Sequence, residues 1–274
     1  MARSIPILRY RHVSPDGGPL TVSPSRFDAQ MSMLANEGWK TINTSALLNA
    51  IGGQAEIPEK ACLITFDGGF LDNYVYAWPL LTRYHLNATL FLVTGWIGNG
   101  NPRLSDPAVL SDRVDHLSCL AAIDAGQQDD VMLRWSEIQR MRTAGNMEIH
   151  SGGHRPLHWD RENESHDTHL ARVVEELTQS RGLILRHTGE VERQIGWTGS
   201  GFDGNADLGY REAARKAGFF VHYTAEPGPN LRGDDPTRIR RFNVEDEPAG
   251  WLASRLKSYR SSLRGTWRAR IREA

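Results

Sequence analysis

The chain has 274 residues, 39% of them hydrophobic and 24% charged, a balance typical of a soluble globular protein and not of a disordered or coiled-coil chain. Lys and Arg total 32 against 33 Asp and Glu, so the formal net charge of -1 creates no overall field that would attract nucleic acid or an anionic membrane. The two cysteines, Cys62 and Cys119, have no CxxC spacing, which argues against a disulfide scaffold and a cysteine zinc site.

The amino terminus carries no recognisable export signal. The apolar stretch at residues 5–8 is too short for a signal-peptide core and has no small-residue cleavage site, so we expect a cytoplasmic location. No window reaches the 18 or so apolar residues of a membrane-spanning helix, and we expect no membrane span.

Short apolar runs alternate with amphipathic segments along the chain, which predicts parallel strands joined by crossover helices. In the first half we expect strands at 5–8, 61–66 and 88–93 and helices at 25–38 and 71–84. The helix at 25–38 has an apolar stripe of Phe27, Met31 and Leu34, and Gly38 ends it. This order predicts an α/β protein, either a barrel or a doubly wound sheet.

Residues 98–130 interrupt this rhythm and read as an insertion, which at this length typically covers a site or is disordered. The pattern then resumes with a helix capped by Ser136, and the later predicted elements are strands at 147–149, 191–197 and 219–224 and helices at 170–185 and 208–217. The tail at 251–274 is predicted to be a basic, solvated helix. We expect one domain over 1–274, with that insertion and that tail.

Asp67 follows an apolar strand and precedes two glycines, which allow a ligand to approach the backbone closely. Barrel enzymes carry catalytic groups at the carboxyl ends of their strands, so Asp67 is the candidate catalytic residue. The alternative is an Asp that caps the next helix or bonds within its own turn.

His150, His154 and His158 recur every four residues in a glycine-rich segment after a predicted strand. Neutral imidazole binds zinc, nickel or iron, so His150 and His154 with Asp67 could form a site of two histidines and one carboxylate. Solvated histidines bonded to backbone are the alternative.

Two further residues are candidates for contact with a substrate. His12 follows the first strand, although a lone histidine is more often structural. Trp197 follows a later strand and offers an aromatic wall on which a sugar ring could stack, with a plain core role as the alternative.

These segments, in this order, resemble the polysaccharide deacetylase family, which has the NodB-homology domain, and most closely its poly-N-acetylglucosamine branch. The matching segments include 5–13, 64–70, 79–81, 88–93, 147–151, 217–219 and 238–242. The resemblance implies a distorted (β/α) barrel of the NodB-homology type with a groove at the carboxyl ends of its strands. It also implies hydrolysis of the acetamide of an N-acetylated sugar or polysaccharide by water on a divalent metal, zinc by preference, with a carboxylate as base.

The sequence departs from the family pattern at each site segment. Asp67 keeps the position of the base, but Gly68 replaces the usual Asp ligand. The second motif, His-Ser/Thr-x-x-His, is met literally by His150 and His154, whereas an alignment that preserves the strand register places the two ligands on Gly152 and Pro156. Glycine has no side chain to bind a metal, so a metal at this site would be held weakly.

Three hypotheses follow. The first is an amide deacetylase with a relocated metal site of Asp67, His150 and His154. The second is a catalytically silent protein that binds a carbohydrate in the groove without a metal. The third is metal-independent chemistry on a sugar, with Asp67 as general base and a histidine as general acid.

Overall fold

The computed structural model describes residues 4–56, 58–110, 115–155, 165–198 and 205–260. Its strands are β1 (Ile7–Tyr10), β2 (His12–Val13), β3 (Thr21–Val22), β4 (Lys40–Thr41), β5 (Ala61–Gly68), β6 (Ala88–Leu92), β7 (Met147–Ser151), β8 (Gln194–Gly196), β9 (Val221–Tyr223) and β10 (Phe242–Asn243). Its helices are α1 (Pro24–Asn36), α2 (Thr44–Ile51), α3 (Trp78–Arg83), α4 (His116–Asp124), α5 (Trp135–Thr143), α6 (His166–Thr188), α7 (Asn205–Lys216) and α8 (Ala249–Arg260).

The main sheet is parallel and runs in the order β10, β1, β5, β6, β7, β8, β9, with β4 paired to the start of β5. A parallel bridge between Tyr223 and Ile239 extends β9 towards the segment that leads into β10, so the sheet curls towards closure. Helices connect the strands on the outside, which confirms the predicted α/β class and the distorted barrel.

The inner face of this barrel follows from the register. Asp67 pairs with Phe91, and Phe91 pairs with His150. Residues paired across parallel strands point to the same side of a sheet, so these three side chains share one face at one level of the barrel. Arg9 pairs with Thr65, two residues before Asp67, and belongs to the same face.

The predicted helix stripe is confirmed in α1, where Phe27, Met31 and Leu34 are buried. Gly38 has φ +73°, the left-handed conformation with which helices commonly end. The predicted helix at 71–84 is confirmed, since residues 71–83 are helical throughout, with a π-helical turn at Asn73–Ala77 before α3.

Several predicted boundaries were wrong. The first strand begins at Ile7, because Ile5 forms an antiparallel bridge with Asn230. The short strand β4 and the helix α2 were not predicted, and the first turn of α5 is capped from Arg134 and not Ser136, through the bond from the Arg134 N–H to Glu137 Oε2 at 2.8 Å.

The insertion at 98–130 contains regular structure where the sequence predicted a loop. It forms two short 3-10 turns and the helix α4, whose Asp115 cap accepts hydrogen bonds from the N–H groups of Leu117 and Ser118. Cys119 of α4 and Cys62 of β5 are both fully buried and unpaired. In α4 the insertion has an element able to carry a side chain into a site.

Two parts of the predicted chain, residues 156–164 and 261–274, fall outside the described ranges, and with them His158 and most of the basic tail. Within those ranges no helix has both the length and the apolar character needed to cross a membrane.

Candidate functional site

Asp67 lies near the carboxyl end of β5, as the sequence predicts, and is fully buried. Arg9 donates from Nε to Oδ2 at 2.5 Å, and Arg241 donates from Nη1 to Oδ1 at 2.6 Å. Burial alone would raise the pKa of Asp67, but the charges of Arg241 and Arg9 outweigh it and lower this pKa to about 2. Asp67 is therefore a carboxylate at neutral pH.

Arg241 is fully buried, and its position is fixed by its hydrogen bonds. Besides Asp67, its acceptors are the carbonyl of Thr224 (2.9 Å), the hydroxyl of Thr65 (3.3 Å) and the carbonyl of Trp197 (3.2 Å). A guanidinium has five N–H groups, and one further contact from Nη2 to Asp67 Oδ2 at 3.3 Å uses the last of them. Arg241 thus fixes the position of the Asp67 carboxylate.

Arg11 follows β1 and lies at one end of a series of hydrogen bonds that continues through His116 and His12 to Asp72. The direction of each bond follows from which atoms can donate. An arginine only donates, so Nε2 of His116, at 3.3 Å from Arg11 Nη1, must accept. The proton of neutral His116 then lies on Nδ1 and is donated to Nε2 of His12 at 3.0 Å, and His12 donates from Nδ1 to Asp72 at 2.6 Å. On its other side Arg11 donates from Nη2 to the carbonyl of Thr198.

Burial sets the charge state of His116 in this series of hydrogen bonds. Burial lowers the pKa of His116 to about 4, and the charge of Arg11 acts in the same direction. His116 is therefore neutral at neutral pH, as the hydrogen-bond directions require.

We refer to Arg9, Arg11, Asp67 and Arg241 as the arginine cluster.

The metal implied by the family resemblance does not fit the residues of this site. Gly68 has φ +107°, and a Cβ there would lie 2.5 Å from the ring of Phe70. A Cβ on Gly152 would lie 2.8 Å from Thr198 Cγ2 and 3.0 Å from the carbonyl oxygen of Phe91. Both positions are shaped for glycine, so neither is a ligand position awaiting a side chain. Pro156 lies outside the described residues.

The predicted metal group of Asp67, His150 and His154 is not brought together. β7 extends to Ser151, so His150 lies in the strand and not in a loop, with Nδ1 at 2.9 Å from Glu192 Oε2. His154 lies beyond the strand, with Nδ1 at 3.2 Å from Thr94 Oγ1. Within the described part of the chain, no three His, Cys, Asp or Glu side chains are placed to hold a metal ion.

The two predicted substrate contacts occupy other positions. His12 is fully buried between Asp72 and His116, so its ring orients His116 and is not exposed for contact with a substrate. Trp197 is 6% exposed, with its ring centroid 5.3 Å from that of Tyr210. Its indole is therefore core and not the expected aromatic wall, and its backbone carbonyl serves the site by accepting from Arg241.

Four residues of this site were not predicted from the sequence: Arg9, Arg11, His116 and Arg241. For Arg9 and Arg11 there was a usable signal, since each lies at the end of an apolar strand that precedes a candidate segment. His116 gave no such signal, because its neighbours are polar and lie in an insertion.

Comparison with known proteins places these features in a family. The family model described as polysaccharide deacetylase matches residues 54–221. The Bacillus subtilis (strain 168) protein YxkH, described as a polysaccharide deacetylase, is 29% identical over 136 residues, which are 46% of this chain and 48% of that protein. The chain therefore spans about half the length of this curated relative.

Solved structures share the fold over nearly the whole chain. IcaB from Ammonifex degensii superposes with a TM-score of 0.72 at 19% identity, covering 93% of this chain and 97% of the other. A de-N-acetylase from Aggregatibacter actinomycetemcomitans gives 0.72 at 19% identity, covering 92% and 99%. The Streptococcus pyogenes deacetylase PplD, solved with acetate, gives 0.70 at 19% identity, covering 93% and 99%.

These superpositions establish the NodB-type barrel, and the family model covers more than half of the chain, including the strand that carries Asp67. The chain belongs to the polysaccharide deacetylase family.

Proposed function

We propose that the chain is a carbohydrate de-N-acetylase that acts on the N-acetyl group of an amino sugar or its polymer. The reaction adds water across the amide bond and releases acetate and a free amine. The observation that carries this proposal is the family match over residues 54–221, which includes β5 with Asp67 at its carboxyl end. Barrel enzymes bind and transform their substrates at that edge.

The arginine cluster supplies the polar groups for this reaction. Asp67 is ionised and cannot donate a proton, and a carboxylate whose pKa is about 2 is a weak base at neutral pH. Its role is therefore to fix Arg9 and Arg241 by ion pairs at 2.5 and 2.6 Å. Arg11 is the least buried of the three arginines and directly follows β1, so we assign it the stabilisation of the acetamide oxygen as that oxygen gains negative charge.

A second function is supported by a specific observation, the close packing around Gly68 and Gly152. Deacetylases of this fold are generally metal-dependent, and the described residues offer no group that would hold the metal. A protein that retains the groove without this group would bind an N-acetylated sugar and leave the amide intact.

Acetate release from N-acetylglucosamine oligomers separates the two functions. The assay is run with added zinc and with a chelator, and binding of the same oligomers is measured by calorimetry. The proposed activity predicts acetate release by the wild type, and we expect Asp67→Asn to reduce it by about 100-fold or more because Arg9 and Arg241 lose their anchor. Asp28→Asn, an exposed carboxylate paired with Arg83, is the matched control and should leave the rate unchanged.

Circular dichroism and a urea titration show that each variant is folded before its rate is interpreted. Saturable binding without acetate release at any zinc concentration would reject the hydrolase and support the second function. Equal rates for the wild type and a folded Asp67→Asn would remove Asp67 from the mechanism.

A further inference from the structure

The positive charge in the arginine cluster exceeds the negative charge that faces it. The two oxygens of Asp67 are taken by Arg9 and Arg241. Arg11 makes no ion pair with a carboxylate among the described residues, and its acceptors there are the carbonyl of Thr198 and the neutral ring of His116. Within the described ranges, one carboxylate therefore faces three guanidinium groups.

This excess of positive charge is energetically unfavourable at Arg11. Burial lowers the pKa of Arg11 to about 10 despite the opposing charge of Asp67, and the charges of Arg9 and Arg241 lower it as well. A cation that is removed from water without a direct ion pair recovers only part of its hydration free energy from neutral acceptors. An anion bound beside Arg11 would restore the balance.

The guanidinium of Arg11 is also oriented for such a ligand. Thr198 fixes one of its Nη groups, and the chain from Asp72 through His12 to His116 fixes the other. These two bonds use two of the five N–H groups of an arginine. The other three N–H groups have no acceptor among the described residues, and neighbouring donors of a planar guanidinium match the two oxygens of a carboxylate.

We infer that Arg11 is the anchor of a carboxylate-binding site at the carboxyl-end edge of the barrel. Two kinds of ligand carry such a carboxylate: an acidic sugar such as a uronic acid, and the acetate that deacetylation would release. The inference takes its place in the groove from the proposed function, but it concerns binding and needs no turnover. Failure of the activity would therefore leave it standing.

Direct titration distinguishes the sources. Wild-type protein is titrated with sodium acetate, with sodium glucuronate and with neutral glucose at constant ionic strength, using calorimetry and ligand-observed NMR. We expect saturable binding of one or both anions and none of glucose. Preference for glucuronate identifies an acidic sugar as the ligand, and preference for acetate identifies the product.

Variants test whether Arg11 is the anchor. We expect Arg11→Gln to weaken anion binding by about tenfold or more and Arg11→Lys to retain part of it, because the charge survives and the fork does not. His116→Phe keeps an aromatic ring but removes the acceptor, so it should weaken binding less than Arg11→Gln. Arg83→Gln changes an exposed arginine paired with Asp28 and is the matched control, expected to bind as the wild type does.

Each variant is checked by its urea midpoint, so that a loss of fold is not read as a loss of site. The inference is overturned if neither anion binds saturably to the wild type. It is equally overturned if a folded Arg11→Gln binds as tightly as Arg83→Gln.

Discussion

Two buried polar clusters lie on the inner face of the same barrel and differ in the sign of their charge. In the arginine cluster, one carboxylate is shared by guanidinium groups. The second, which we call the histidine cluster, consists of His150, Glu192, Thr44 and Glu148. Nδ1 of His150 contacts Glu192 at 2.9 Å, and Nε2 is 3.1 Å from the hydroxyl of Thr44. That hydroxyl donates to Glu148 at 3.4 Å.

Phe91 separates the two clusters. It pairs in register with Asp67 on one side and His150 on the other, and it is fully buried. Arg241 Cζ is 5.1 Å from the centre of its ring, and the ring of His150 is 6.0 Å away, centroid to centroid. One aromatic side chain thus lies between a cationic and an acidic environment at the same level of the sheet.

The comparison shows that strand position alone does not decide what a polar side chain does. Asp67 and His150 stand at equivalent levels of neighbouring strands. The pKa of Asp67 is lowered because arginines overcome the effect of burial. The pKa of His150 is raised, since burial would lower it but the charge of Glu192 outweighs burial. In each cluster the neighbouring charges act against the effect of burial, and the two clusters differ in the sign of the charge that surrounds the central group.

The largest expected effect comes from breaking the arginine cluster at its buried centre. Arg241→Met leaves Asp67 buried with Arg9 as its remaining direct partner, and we expect a loss of about 3–5 kcal/mol in the free energy of unfolding. Urea denaturation at pH 7 measures it. Arg238→Met, which breaks an exposed ion pair with Glu226, should cost less than about 1 kcal/mol. Similar losses for both variants would contradict the special role of burial.

Acid should weaken the arginine cluster in a defined pH window. A carboxyl group with a lowered folded-state pKa contributes stability above its unfolded value, near 3.9, and that stability is lost as the pH falls through the folded value. For Asp67 the folded value is about 2, so we expect a loss of about 2 kcal/mol between pH 5 and pH 2. Urea midpoints across this range test it, with Asp28→Asn expected to follow the wild type and Asp67→Asn expected to lose this part of the slope.

The histidine cluster should respond in the opposite direction. The raised pKa of His150 means that its contribution is complete below the unfolded value, near 6.5, and is lost as the pH rises through the folded value. Glu192→Gln should lower the pKa of His150 in an NMR titration and flatten the dependence of stability on pH above 6.5. Glu226→Gln, a surface change, should leave that titration unmoved, and an unmoved His150 in Glu192→Gln would refute the assignment.

The fold could be predicted from the sequence because its signals are local. The apolar run that ends at Asp67 and the stripe Phe27, Met31 and Leu34 each express burial within a few residues. The missed helix α2 has only eight residues, too few to display a clear period. The sequence predicts the end of β7 too early because His150 is polar and is followed by glycines, whereas in a barrel a strand carries polar residues on its inner face.

The candidate site could be predicted only in part, since its partners are distant in the chain. Asp67 was correctly placed at a strand end, but its arginines lie 58 and 174 residues away. Nothing local indicates that Arg241 turns inwards. His116 belongs to an insertion, and only the folded chain brings α4 against the segment after β1.

The reactivity of the two unpaired, buried cysteines reports on local unfolding of this protein. Burial raises the pKa of the Cys62 thiol to about 12, and burial is also the leading cause of the raised pKa of Cys119. Neither thiol reacts until its surroundings open, because the thiolate is the reactive form. Cys62 lies in the barrel and Cys119 in the inserted helix, so their separate labelling rates distinguish opening of the insertion over the site from opening of the whole fold.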